Sequence, residues 1–158
     1  MKSQRSAIAI RPDAVIRAYG RAETAHWMEQ WLDAFGRERG DVCVDPYAWH
    51  VFSFGCHPSV ALDAARAEYR EAVAALYVVV DGDRGHAVET DERPSLREKG
   101  EYLVFPSNFA WTMAFTHEDG WLGPFFARHR DYDRLHEDNL AAIRNRHAAE
   151  PMRSNDRS

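Results

Sequence analysis

Cysteine is scarce: Cys43 and Cys56 are the only two in 158 residues. They match no C-x-x-C or paired zinc spacing, so the sequence offers neither a disulfide framework nor a structural zinc site. With no signal peptide readable in Met1–Ala9, both are expected to stay reduced, and the chain to be cytoplasmic. Lysine is almost absent as well. Of the 20 basic residues only Lys2 and Lys99 are lysine. The arginines are scattered, which reads as the codon bias of a GC-rich genome rather than as clustered anion recognition. No window approaches the roughly 18 apolar residues that a membrane span requires. A basic excess is missing too: 25 acidic against 20 basic residues leave a net charge of -5. Nucleic acid is therefore disfavoured as a ligand, and a basic partner is tolerated. Phosphate-cradling loops (G-x-x-x-x-G-K-[ST], G-x-G-x-x-G), the G-x-S-x-G elbow and H-E-x-x-H are all absent, which argues against NTPases, dinucleotide enzymes, α/β-hydrolases and zincins.

What is present is an ordinary globular composition, 45% hydrophobic and 28% charged. It predicts one domain over 6–150, with flexible termini at 1–5 and 151–158. Trp27, Met28, Trp31, Leu32 and Phe35 trace one stripe of a helix over 22–35, with Gly36 where a left-handed cap is wanted. Residues 48–54 read as a short strand ended by Gly55. Ser59 is placed to cap a second helix running to about 73. Leu76–Val80 is a continuous β-branched run, expected as a strand covered on both faces. Asp81–Gly85 is a turn, 86–90 a weaker strand and 102–105 another. Over 109–116 the alternation predicts Phe109, Trp111, Met113 and Phe115 on one face of a strand. A last helix is expected over 133–148, with Arg144, Arg146 and His147 suited to its negative end. The sum is an α+β fold: a mainly antiparallel sheet of about four to five strands with about three packed helices.

The densest polar cluster is His117-Glu118-Asp119, at the end of the clearest strand. Consecutive strand-end residues splay apart, so the run offers one ion at most two ligands, and neither a resident metal nor another cofactor is expected. His50, Cys56 and His57 lack a second ligand pair. Arg128-His129-Arg130 is a short basic patch. Trp121, Phe125, Phe126 and Arg128 supply the aromatic and arginine mixture typical of binding hot spots.

Trp49-His50-Val51-Phe52-Ser53, the Ala64-Ala65-Arg66 helix, Phe109-x-Trp111-Thr112, Thr116-His117-Glu118-Asp119 and Gly123-Pro124-x-Phe126 occur in an order that resembles the bacterial domain-of-unknown-function 4275 family. The resemblance spans about residues 22–130. It implies a small cytoplasmic α+β domain and no enzyme activity, cofactor or catalytic residue.

The expected function is a non-catalytic protein-binding module, immunity or antitoxin-like, that caps a toxin-like partner. Its binding residues are His117, Glu118, Asp119, Trp121, Phe125, Phe126 and Arg128. The alternative is a small hydrolase or nucleotide-processing enzyme using His117 with Glu118 or Asp119, with or without a metal. A homodimer stays open as a third reading.

Overall fold

Adjacent residues of a strand face opposite ways, and in this chain both directions lead into a core. A computed structural model describes residues 12–45, 47–95, 100–117 and 122–155. After a 3-10 turn at Pro12–Ala14 come β1 (Val15–Tyr19), α1 (Arg21–Phe35), α2 (His50–Ser53), β2 (Val60–Ala61) and α3 (Leu62–Glu71). They are followed by β3 (Tyr77–Asp81), β4 (Ala87–Thr90), β5 (Tyr102–Pro106), β6 (Trp111–Phe115), β7 (Phe125–Arg128) and α4 (Tyr132–Asn155). The strands form one sheet in the order β1-β4-β3-β5-β6-β7-β2, and each neighbouring pair is antiparallel. The α+β class with an antiparallel sheet holds. The described residues carry seven strands and four α-helices, more than the four to five and three expected.

Val78, Val80, Leu103, Phe105, Ala114 and Phe125 point to one side, where Met28, Trp31 and Phe35 of α1 and Val51 and Phe52 of α2 cover them. Tyr77, Val79, Val104, Trp111, Met113 and Phe126 point to the other, under Ala65 and Tyr69 of α3 and Leu135 of α4. The three central strands β3, β5 and β6 are thus sandwiched, as their nearly unbroken apolar runs require. Trp31 and Thr112 are both fully buried, and the indole N–H donates to the Thr112 hydroxyl at 3.0 Å. That hydroxyl donates in turn to the Val104 carbonyl at 3.2 Å, so the polar atoms are paired inside the core.

Several local expectations are corrected. Residues 48–54 hold the helical turn α2, not a strand: the Ser53 N–H bonds the Trp49 carbonyl at 3.1 Å and the Phe54 N–H the His50 carbonyl at 3.0 Å, which puts Val51 and Phe52 into the same core instead of on opposite faces. Ser59 does not cap α3, because Val60 and Ala61 pair with Phe126 and Phe125 and helix formation waits until Leu62. Gly36 has φ -116°, outside the left-handed region. Its lack of a side chain matters for space instead, since a Cβ there would lie 3.0 Å from Leu32 Cδ2 and 3.1 Å from the Leu32 carbonyl oxygen. Phe109 has φ +61°, which turns it away from the Trp111 face to stack on Phe105 at 5.0 Å. The last helix runs past 148, so Arg144, Arg146 and His147 do not sit at its end; Arg146 bonds Asp91 at 3.1 Å.

Trp111 is fully buried, stacks on Phe126 at 5.7 Å and donates its indole N–H to the Val73 carbonyl at 2.9 Å. Trp111→Ala is expected to cost about 3–5 kcal/mol. Urea denaturation checks this, and an unchanged midpoint would contradict the register of β6.

Candidate functional site

The register of β5 against β6 decides what meets at one end of the sheet. Tyr102 pairs with Phe115, so Glu101, just before β5, lies beside the residues that follow β6. Glu101 is the hub. Its Oε1 accepts the Trp49 indole N–H at 2.9 Å. Its Oε2 accepts the His117 backbone N–H at 3.1 Å and also bonds the His117 Nδ1. The carboxylate side chain is 21% exposed and the imidazole 42%. Charge-assisted bonds of this kind are the stronger class.

The segment before α2 roofs this dyad with rings. Tyr47 lies 5.1 Å from the His117 ring and stacks on Trp49 at 5.5 Å. Trp49 stacks on Phe125 at 6.0 Å, which roots the cluster in the core. His50 packs edge-on against Tyr47 and Trp49, and its Nδ1 bonds the Cys43 carbonyl at 3.0 Å. Phe54 closes the ladder at 5.5 Å from His50 and is 65% exposed. Gly55, at φ +73°, ends the helical turn there.

The turn after β3 supports the hub from beneath. Asp81 pairs with Tyr102, which sets Gly82 against Glu101. A Cβ at Gly82 would lie 2.6 Å from the Glu101 carbonyl oxygen, so only glycine fits. Arg84 reaches from this turn to Asp45 at 2.8 Å and to the Val44 carbonyl, tying the loop before Tyr47 in place. Trp49, Asp81, Gly82, Arg84 and Glu101 help line a cavity of about 20 Å³, room for a water molecule and no more.

Of the described residues expected from sequence to bind, His117 lies in this cluster and Phe125 supports it from the core. Glu118, Asp119 and Trp121 lie outside the described residues. Phe125 and Phe126 are corrected from surface to core: they are 7% and 3% exposed and face opposite layers. Arg128 is exposed, bonds Glu68 at 3.0 Å and lies over the Tyr132 ring at 4.3 Å. It pairs with Trp111, six residues from His117 along the chain, or ~20 Å of strand. His117 and Arg128 therefore do not share a site. His57 is spent on the Arg128 carbonyl at 2.8 Å, and Cys43 and Cys56 are free thiols. Glu101, Tyr47 and Phe54 were missed as site residues, and His50 was noted as a candidate ligand but not assigned to binding. Glu101 carried no local signal, because its role depends on strand register.

The model of a family described as Domain of unknown function (DUF4275) matches residues 22–126, about two thirds of the chain. No curated protein and no solved structure gives a match.

Glu101→Ala leaves the Trp49 indole and the His117 backbone N–H without their acceptor, and should cost about 1–3 kcal/mol in chemical denaturation. Near the opposite end of β6, His129 titrates below the ordinary histidine range, chiefly because burial penalises its charged form; Asp131 opposes the shift, while Arg130, His57 and Arg134 add to it. A depressed histidine favours the neutral folded state. The stability it contributes is intact above the unfolded value of about 6.5 and is lost as pH falls toward the folded one. Proton NMR should give His129 a midpoint below that of a model histidine. His129→Asn should flatten the loss of stability on acidification, and an unchanged slope would contradict the assignment.

Proposed function

The chain belongs to the DUF4275 family, a domain of unknown function, and from that premise we propose that it is a non-catalytic, immunity-like module that binds a basic, toxin-like protein. The observation that carries the proposal is Phe54, 65% exposed at the outer end of a ring ladder rooted on buried Phe125. An exposed aromatic on rigid support loses little freedom on binding, the property that makes hot spots. His50, Tyr47 and His117 extend the surface, and the Asp45 side chain is 82% exposed. The net charge of -5 favours a cationic partner and steers its approach.

A second reading, a small hydrolase or nucleotide-processing enzyme, draws support from the Glu101–His117 pair. A carboxylate that orients an imidazole is the pattern of a general base. The partner carboxylate is then Glu101, in the place given by sequence to Glu118 or Asp119. Against this reading, the cavity beside the pair, about 20 Å³, is too small for a substrate.

The test is binding between this chain and the product of the neighbouring open reading frame, measured by interferometry. Phe54→Ala should weaken it by about 2 kcal/mol, roughly thirtyfold in Kd, with the melting temperature unchanged. Added salt should slow association. An unaltered Kd in Phe54→Ala would remove the surface from the proposal. Turnover of a phosphoester or ester substrate, lost in His117→Ala, would replace the binding module with the hydrolase.

A further inference from the structure

We propose that the turn between β3 and β4 holds a divalent transition-metal ion through Asp81, Asp83 and His86. One donor atom from each lies within 4.8 Å of the other two. The convergence follows from the hairpin. Val80 pairs with Ala87, and the Asp81 N–H donates to the His86 carbonyl at 3.0 Å, so residues 81 and 86 stand opposite each other. Cross-strand partners share a face, which brings a carboxylate and an imidazole together. Asp83, at the tip, adds the third donor. Its Oδ1 already accepts the Gly85 N–H at 2.8 Å, which fixes the carboxylate over the turn.

The turn is held from both sides. The Arg84 N–H bonds the Asp81 carbonyl at 2.9 Å, and Gly82 abuts the Glu101 backbone. Donors on a rigid backbone lose little entropy when they close on an ion. Zinc takes oxygen and nitrogen ligands at about 2.0–2.2 Å, so two donors on one ion lie roughly 3–4 Å apart. The donors need to close by only about an ångström, within the reach of side-chain rotation.

The donor set selects the ion. Carboxylates alone would suit calcium or magnesium, whereas a neutral imidazole is a ligand for zinc and its first-row neighbours. Three protein ligands leave a coordination position for water. Asp83 and His86 are exposed and Asp81 half-buried, so an ion can enter from solvent. The turn also supports Glu101 beneath the aromatic surface, but none of the three ligands is a residue assigned to partner binding, so the site does not depend on the function proposed for that surface. Sequence reading placed the metal question at His117 and took 81–85 as a plain turn, because the third ligand lies across the hairpin.

Zinc alone is titrated into the metal-free full-length chain at neutral pH by calorimetry, with magnesium as comparison. The expected result is one equivalent bound, a shift of the His86 imidazole resonances and no comparable response to magnesium. His86→Ala and Asp83→Asn should each weaken zinc binding by about tenfold or more, at an unchanged metal-free melting temperature. His136→Ala, a histidine distant in sequence, should change nothing. Zinc binding that survives both His86→Ala and Asp83→Asn overturns the site. So does the absence of saturable binding, or magnesium binding of equal strength that ignores His86→Ala.

Discussion

Covering a sheet on both faces removes water from its central strands, and the rest of this structure answers that constraint. Val78, Val79, Val80, Val104, Phe105, Trp111 and Met113 have essentially no exposure, so any polar atom among them needs an internal partner. Each large polar aromatic resolves this by reaching to a different element. Trp31 bonds Thr112 and holds α1 to β6; Trp111 bonds the Val73 carbonyl and holds the segment that follows α3. Tyr69 donates its hydroxyl to the Pro94 carbonyl at 2.6 Å, and burial pushes its pKa up, which keeps it a donor. Arg93 bonds the Arg70 and Ala72 carbonyls beside the rings of Tyr69 and Tyr77, so a charge is tolerated where its fork is matched. Hydrophobic burial supplies the driving force, and these bonds choose one arrangement among many compact ones.

The antiparallel register then decides where function can be mounted. Strands β3, β5 and β6 end together, so Gly82, Glu101 and His117 meet at one end though up to 35 positions separate them. Glu101 has more to do than an ordinary surface carboxylate. It accepts from an indole, a backbone amide and an imidazole at once, which uses most of its lone-pair capacity. A glutamine in its place could accept fewer of these, because one of its two polar ends is a donor. The hub thus joins α2, β5 and the exit of β6 through a single side chain.

Much of the fold was legible because burial on two faces leaves a strong mark in sequence. The run Leu76–Val80 and the alternation from Trp111 to Phe115 gave strands at the observed places, and the Trp27–Phe35 stripe gave α1 within a residue of its start. The edges were not legible. β1 spans Val15–Tyr19 with Ile16, Arg17 and Ala18 exposed, so no apolar period marks it. β2 is two residues long and exists only through pairing with β7. Phe109 was assigned the wrong face because a left-handed turn residue breaks the parity that alternation assumes. Phe125 and Phe126 looked like one surface patch, although adjacent strand residues must face apart.

The site was illegible for a related reason, and α2 shows it. As a strand, 48–54 would alternate and send Trp49, Val51 and Ser53 one way. As a helical turn it buries Ala48, Trp49, Val51 and Phe52 together and turns His50 and Phe54 outward. The local sequence is rich in β-branched and aromatic residues, so propensity argues for the strand. The segment makes no pairing with the seven-stranded sheet, in which β7 takes β2 on the side away from β6 and the His57 imidazole on its last carbonyl. With both partners taken, the backbone of 50–53 satisfies itself locally, and a helical turn is the shortest way to do so. Phe54, the residue that follows this turn, is left exposed. The strand that fills the place beside β7 comes from residues 60–61, which no window centred on 48–54 could contain.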